Sequence, residues 1–246
     1  LKTGVIAEIG EGEKIVALRA DIDALPINEM TDYPYKSQNP GVMHACGHDF
    51  HTASLLGTAV VLKQKEKELK GRVRLIFQPA EEINAGAKEV IASGALEEVS
   101  AIAGFHNKPD LPLGTIGIKS GSLMAAVDRF EVKINGTGTH AAAPQNGNDP
   151  IVTASQIVTS IQSIVSRYVS PADMAIISVT RISGGNTWNV IPESVVMEGT
   201  MRTFKKSVQE RIKKLFIQVI KNYTEAFEQK YEILWGDSHP FVDNDE

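Results

Sequence analysis

Strand-length apolar runs alternate with helical stretches from Lys14 to His106, and this alternation limits the fold more than any other feature of the chain. Lys14 to Arg19 (KIVALR) is apolar in its body and suits a buried strand. His51 to Leu69 carries helical periodicity, with Asp49 placed to cap it. Gly71 breaks the chain, and Arg72 to Gln78 (RVRLIFQ) is the next strand. Asn84 to Ser93 reads as a helix closed by Gly94. Ala101 to His106 is another short apolar strand, and Gly4 to Ile9 reads as a strand at the start. Units of this kind predict an α/β fold with a mostly parallel sheet.

The second half changes rhythm near Ser120. Val127 to Ile134 alternates as a strand, and Pro150 opens a helix reaching about Tyr168. Ala175 to Ile182 and Val195 to Thr203 are strands around a loop rich in glycine. Ser207 to Glu228 is a charged amphipathic helix, and Tyr231 to Trp235 a last strand. The order β-α-β-β-α-β is that of ferredoxin-like α+β domains. The expected domains are residues 1–119, residues 120–238, and a short return at 239–246.

The bulk numbers exclude some partners. A net charge of −5 argues against nucleic acid, whose phosphates need a basic face. No apolar run approaches the roughly 20 residues of a membrane helix. The start, Leu1-Lys2-Thr3-Gly4-Val5, lacks a signal-peptide pattern. A lone cysteine cannot form an internal disulfide, which fits a cytoplasmic protein.

That cysteine lies in Met43-His44-Ala45-Cys46-Gly47-His48-Asp49-Phe50-His51, among groups that bind zinc-like metals. Cys46 and His48, two apart in an extended loop, can face one site. His44 and His51 suit packing or supporting roles. Glu81 and Glu82 come after the strand ending at Gln78; one can ligate a metal and the other act as general base. His106 ends the strand beginning at Ala101, on the side where open α/β sheets bind ligands. Asp21 and Asp23 come after the strand ending at Arg19. Each of these has a plainer explanation when read singly: a core cysteine, a solvated loop, turn residues before Pro26. Taken together, the strands of one parallel sheet finish along one rim and gather Asp, Cys/His, Glu/Glu and His there. In the second half His140 lies just past a Gly-Thr-Gly-Thr turn, and Arg202 is either a surface charge or a clamp for a carboxylate.

These motifs resemble the metal-dependent aminoacylase and amidohydrolase family of dinuclear metallopeptidases. The similar branch contains N-acyl-amino-acid amidohydrolases, hippurate hydrolases and indole-acetyl-amino-acid hydrolases. The resemblance is carried by Ala17 to Pro26, Met43 to His51, Gln78 to Glu82, Gly136 to Pro150 and Asn189 to Pro192. It implies that Cys46, His48, Glu82 and His106 hold a pair of divalent ions (zinc, manganese, cobalt or nickel). Glu81 is then the general base and Asp21 the group that orients a ligand from behind. Arg19 stands where other branches carry a metal-binding histidine.

The second domain corresponds to the family's inserted lid and dimerisation domain. The resemblance implies that His140 stabilises the oxyanion in the partner's site of a homodimer, and that Asn189 and Arg202 hold the substrate. The implied function is hydrolysis of the amide of a small N-acyl amino acid, with a dipeptidase or carboxypeptidase as the alternative. In this family the catalytic domain resumes after the lid and supplies a last histidine ligand. His239 does not match that motif, so a truncated chain is expected to bind metal weakly or not at all. An inactive dimerising fragment is therefore a further alternative.

Overall fold

The computed structural model describes residues 2–246, and chain contacts divide the protein into two compact units, Leu1–Ile116 and Gly117–Glu246. In the first unit, strand β1 is Val5–Ile9, β2 Ile15–Asp21 and helix α1 His48–Gln64. Strand β3 is Arg72–Gln78, helix α2 Gly86–Ala92 and β4 Val99–Gly104. The four strands form one sheet in the order β1-β3-β2-β4. Strand β2 runs parallel to both β3 and β4, and β1 joins β3 antiparallel. Leu55 of α1 packs with Ala20, Val73 and Leu75 on one side of the sheet. Val90 of α2 packs with Ala17 and Ile76 on the other.

The parallel register decides where the site lies. Asp21 pairs with Gln78, and Arg19 pairs with Gly104. The carboxyl ends of β2, β3 and β4 therefore finish together, and the loops after them share one rim, the usual place for ligands on such sheets.

The second unit contains β5 (Gly121–Met124), β6 (Ala126–Asn135), β7 (Thr139–His140) and helix α3 (Pro150–Tyr168). It continues with β8 (Ala175–Gly184), β9 (Val190–Ile191) and β10 (Ser194–Thr203). Helix α4 (Lys206–Ala226), β11 (Lys230–His239) and β12 (Val242–Asn244) complete it. The main sheet has the order β11-β6-β10-β8 with every neighbouring pair antiparallel. Helices α3 and α4 bury Ile157, Ile161, Ile212 and Phe216 against Phe130, Val132 and Ile134 of β6. Each such fully buried side chain contributes about 1.5–3 kcal/mol relative to exposure.

Local chemistry explains the elements that match their sequence expectation. Arg72–Gln78 and Pro150–Tyr168 have the predicted bounds. Asp149 caps α3 by accepting from the N–H groups of Ile151 and Val152, and Pro150 occupies the first helical position. The first helix differs. Gly47 adopts φ 82°, and its carbonyl accepts from the N–H groups of Phe50 and His51, so α1 begins at His48. Asp49 is thus inside the first turn, where its charge suits the helix dipole, and is not the cap. The same helix stops at Gln64 and gives way to a single 3₁₀ turn at Glu66–Glu68. Helix α2 starts two residues later than expected because Asn84 turns left-handed at φ 55°.

Candidate metal centre

All the chemical groups of the first unit meet at the rim. The ligand atoms of Cys46, His48 and His106 lie within 4.8 Å of one another, as do those of His48, Glu81 and Glu82. His48 belongs to both groups. Three loops bring these residues together. A two-way backbone pairing of Leu25 with Met43, at 2.9 and 3.0 Å, pinches the segment between them. That pinch lays Asp23 beside the Cys46 turn. The expectation that Cys46 and His48 converge through an extended strand-like loop is corrected. The left-handed turn at Gly47 brings them together, with His48 already helical. His106 likewise lies beyond its strand, which ends at Gly104.

Both histidines present the same face. His48 Nδ1 donates to the carbonyl of Asp23 at 3.0 Å, and His106 Nδ1 to the carbonyl of Asn107 at 2.8 Å. Each ring therefore keeps its proton on Nδ1 and offers the lone pair of Nε2, the tautomer a metal ligand needs. His106 Nε2 is 3.5 Å from Cys46 Sγ. His48 Nε2 is buried with no partner and lies 3.8 Å from Glu82 Oε1, itself buried without a partner. Glu81 Oε2 is 4.0 Å from the same nitrogen.

Unpaired buried polar atoms are costly and rare. Two donors held about 2.1 Å from one tetrahedral ion would be roughly 3.4 Å apart, close to the observed spacing. The thiolate, imidazole and carboxylate set thus fits a divalent metal. Burial raises the Cys46 thiol to about 11, with the charges of Glu82, Glu81 and Asp21 adding to the effect. A cation in their midst would reverse that effect.

A supporting network stands behind these groups. Asp21 is buried and accepts from His51 Nδ1 at 2.6 Å and from Arg19 Nη1 at 2.7 Å. Burial by itself raises its carboxyl, but His51 and Arg19 outweigh this and hold it below the usual carboxylate range. The Asn107 N–H donates to His51 Nε2 at 2.9 Å. Both ring nitrogens of His51 are thereby used, and it braces the loop carrying His106 instead of offering a lone pair. Arg19 also donates to Gln78 Oε1 at 3.0 Å. Sequence reasoning missed Asn107 and placed Asp23 at the rim without giving it a role; only the fold puts them against the histidines.

Gly47 is a point of close approach. A Cβ at this position would lie 2.6 Å from the side chain of Asn107, and its positive φ already disfavours any other residue. Gly47→Ala is expected to destabilise the chain by about 2 kcal/mol in denaturant unfolding. An unchanged midpoint would show that the turn tolerates a side chain.

The remaining expected site residues lie in the second unit. His140 is exposed on β7 and pairs with Val190 of β9. Its Nδ1 accepts from the N–H of Ala142 at 3.1 Å, and the carbonyl of Asn189 accepts from Ala141 at 2.9 Å. His140 and Asn189 are therefore neighbours on one small ladder. Arg202 is half-buried on β10 and donates to Thr200 Oγ1 and to the carbonyl of Met201 at 3.0 Å.

Comparison with known proteins agrees with the geometry. The family model described as peptidase family M20/M25/M40 matches residues 17–232. An N-acetyl-L-cysteine deacetylase of Bacillus subtilis is 55% identical over all of this chain, which spans 60% of that protein's length. IAA-amino acid hydrolase ILR1-like 4 of Arabidopsis thaliana is 48% identical over 89% of this chain and 50% of its own length. Among solved structures, the Bacillus subtilis YXEP protein, described as a dinuclear metal binding peptidase from the M20 family, superposes with a TM-score of 0.84. It shares 49% identity over 99% of this chain and 63% of that one. The chain thus matches about three fifths of the length of its bacterial relatives. The chain belongs to peptidase family M20/M25/M40.

Proposed function

We propose that the protein is a metal-dependent hydrolase of N-acyl amino acids. The observation that carries this reading is the pair of unpartnered buried atoms, His48 Nε2 and Glu82 Oε1, facing each other beside Cys46, His106 and Glu81. Cys46, His48, Glu82 and His106 would hold two divalent ions, with zinc, manganese, cobalt and nickel all compatible with this mixed set. When bound, such ions supply a Lewis acid that brings a water's pKa near neutrality. Glu82 is the more buried of the two adjacent acids, with 21% of its side chain exposed against 37% for Glu81. The buried acid suits a ligand. The exposed acid can reach water and substrate. Glu81 takes the proton of the attacking water and passes it to the leaving amine. Asp21 and His51 hold the loop of His106 in place.

Substrate class is supported by relatives named for deacetylation of N-acetyl-L-cysteine and hydrolysis of indole-acetyl amino acids. Residues 1–119 act as the catalytic part, residues 120–238 as an inserted ferredoxin-like lid that forms a homodimer, and 239–246 as the return. His140 stabilises the oxyanion in the partner's site, and Asn189 and Arg202 hold the substrate's carboxylate or carbonyl. A cytoplasmic location accords with the lone cysteine. The described residues contain no helix long and apolar enough to cross a membrane.

The test is turnover of N-acetyl- and N-benzoyl-amino acids beside dipeptides with the same C-terminal residue, each with added Mn²⁺, Zn²⁺ or Co²⁺. A preference of about tenfold or more for the acyl amino acids is expected, the scale of one or two pocket contacts. Equal or faster dipeptide cleavage would instead make the protein a dipeptidase. Metal uptake without any turnover would make it an inactive relative.

A further inference from the structure

We infer that the second unit carries a binding site for an amine that also bears an amide: an amino acid amide or the amino terminus of a peptide. The site is an open cleft of about 380 Å³ where the start of α3 meets the end of α4. That volume lies within the range of small-molecule sites, roughly 300–1,000 Å³. Its walls include Asn148, Asp149, Val152, Phe227, Glu228 and Gln229. The site is independent of the metal reading above.

Gln229 carries the argument. It is only 7% exposed and lines the cleft, yet neither Oε1 nor Nε2 has a hydrogen-bond partner among the described residues. A buried amide with both ends unpaired is costly and rare in a native fold. A leucine of similar bulk would avoid that cost. One acceptor beside one donor matches the N–H and C=O of a second amide.

The charge of the cleft selects the rest of the ligand. Asp149 and Glu228 are its charged side chains, and none of its lining residues is basic. The N–H groups that begin α3 are already taken, because Asp149 Oδ1 accepts from Ile151 at 2.8 Å and from Val152 at 3.4 Å. An anion therefore gains nothing from that helix end. Ala226 ends α4 and lines the cleft, and the last turn of α4 holds no basic residue to offset the helix dipole. An ammonium group suits this field, and the part-exposed ring of Phe227 adds an electron-rich face. A carboxylate on the ligand would meet two like charges, which favours an amide over a free amino acid.

Glu228 gives an independent sign. It turns left-handed at φ 56°, with its N–H donating to the Glu225 carbonyl at 3.2 Å and the Gln229 N–H to that of Thr224 at 2.8 Å. Helix endings of this kind ordinarily use glycine. A glutamate there strains the backbone, and such strain collects where ligands are held. Glu228→Gly therefore relieves strain and removes a charge from the cleft in one step.

The experiment is NMR titration of the 246-residue chain with glycinamide at about pH 6.5, where an α-ammonium is charged. Backbone amides of residues 147–153 and 226–229 are followed. Glycine, acetamide and ethylamine serve as probes that each lack one feature. Saturable shifts at those residues are expected with glycinamide. The other three should bind at least about tenfold more weakly, the scale of one or two hydrogen bonds. A dipeptide amide that binds more tightly marks a peptide amino terminus, and equal binding marks a single amino acid amide. Gln229→Leu and Glu228→Gly are each expected to weaken glycinamide about tenfold. Their melting temperatures should stay at or above that of wild type. Absence of saturable shifts, equal binding of glycine, or unchanged binding in Gln229→Leu would overturn the inference. So would a lowered melting temperature in both variants, since that marks residues serving the fold alone.

Discussion

Glu81→Gln is expected to lower kcat for N-acyl amino acid hydrolysis about 10²- to 10⁴-fold, the usual contribution of a positioned general base. Metal content should stay as in wild type. The reason is the division of labour between adjacent acids. Glu82 presents a buried, unpartnered oxygen 3.8 Å from His48 Nε2, whereas Glu81 is more exposed and no nearer. Glutamine keeps the shape of Glu81 but cannot accept a proton from water. Glu82→Gln should do the reverse and lose metal before it loses anything else. Steady-state kinetics and elemental analysis on both variants separate the roles. Near-normal kcat in metal-loaded Glu81→Gln would remove Glu81 from the chemistry. Loss of metal in that variant would make it a ligand instead.

This contrast between neighbouring acids shows what could and could not be read from the chain. The types of group at the rim were legible: Cys46, His48, Glu81, Glu82 and His106 come after short apolar strands or open a helix. Parallel strands deliver the loops at their carboxyl ends to one edge, and the structure puts all five residues there. The strand Arg72–Gln78 and the helix Pro150–Tyr168 were legible because their signals are local: an apolar run after glycine, and an Asp-Pro start. The start of α1 was not, since it depends on a left-handed turn at Gly47, where the packing of Asn107 leaves no room for a side chain. Asp23 as a rim carboxylate and His51 as a supporting residue were legible only in outline, for a related reason. Their partners are Glu82 and Asn107, 59 and 56 residues away. Sequence spacing carries no record of such contacts until the sheet has set the register. Candidate metal ligands thus announce themselves by residue type, while the groups that touch them are defined by the fold.

Asp128 extends this lesson to the second unit and carries the largest expected effect on stability. It falls in the inward row of β6, whose other buried members are Ala126, Phe130, Val132 and Ile134. A charge in that row needs full compensation. It receives three donors: Gln209 Nε2 at 2.6 Å and Lys213 Nζ at 2.7 Å from α4, and Ser238 Oγ at 2.6 Å from β11. Lys213 also lies 4.9 Å over the ring of Trp235, on the same strand as Ser238. One carboxylate therefore ties β6, α4 and β11 together.

Asp128→Ala is expected to cost on the order of 3 kcal/mol, because it strands the buried amide of Gln209 as well as removing the ion pair with Lys213. Burial alone would raise the Asp128 carboxyl, but Lys213, Ser238 and Gln209 together hold it below the usual carboxylate range. A folded-state value below the unfolded one means that unfolding takes up a proton at low pH. The stabilisation is therefore complete above the unfolded value, about 3.9. It is lost as pH falls through the lower, folded value. Subtracting the stability of Asp128→Asn from that of wild type across a range of about pH 2 to 6 isolates this group from the other carboxylates. The difference should be constant above about pH 5 and shrink on acidification. A difference that stays constant or grows towards low pH would mean that the carboxyl is not held ionised by its three donors.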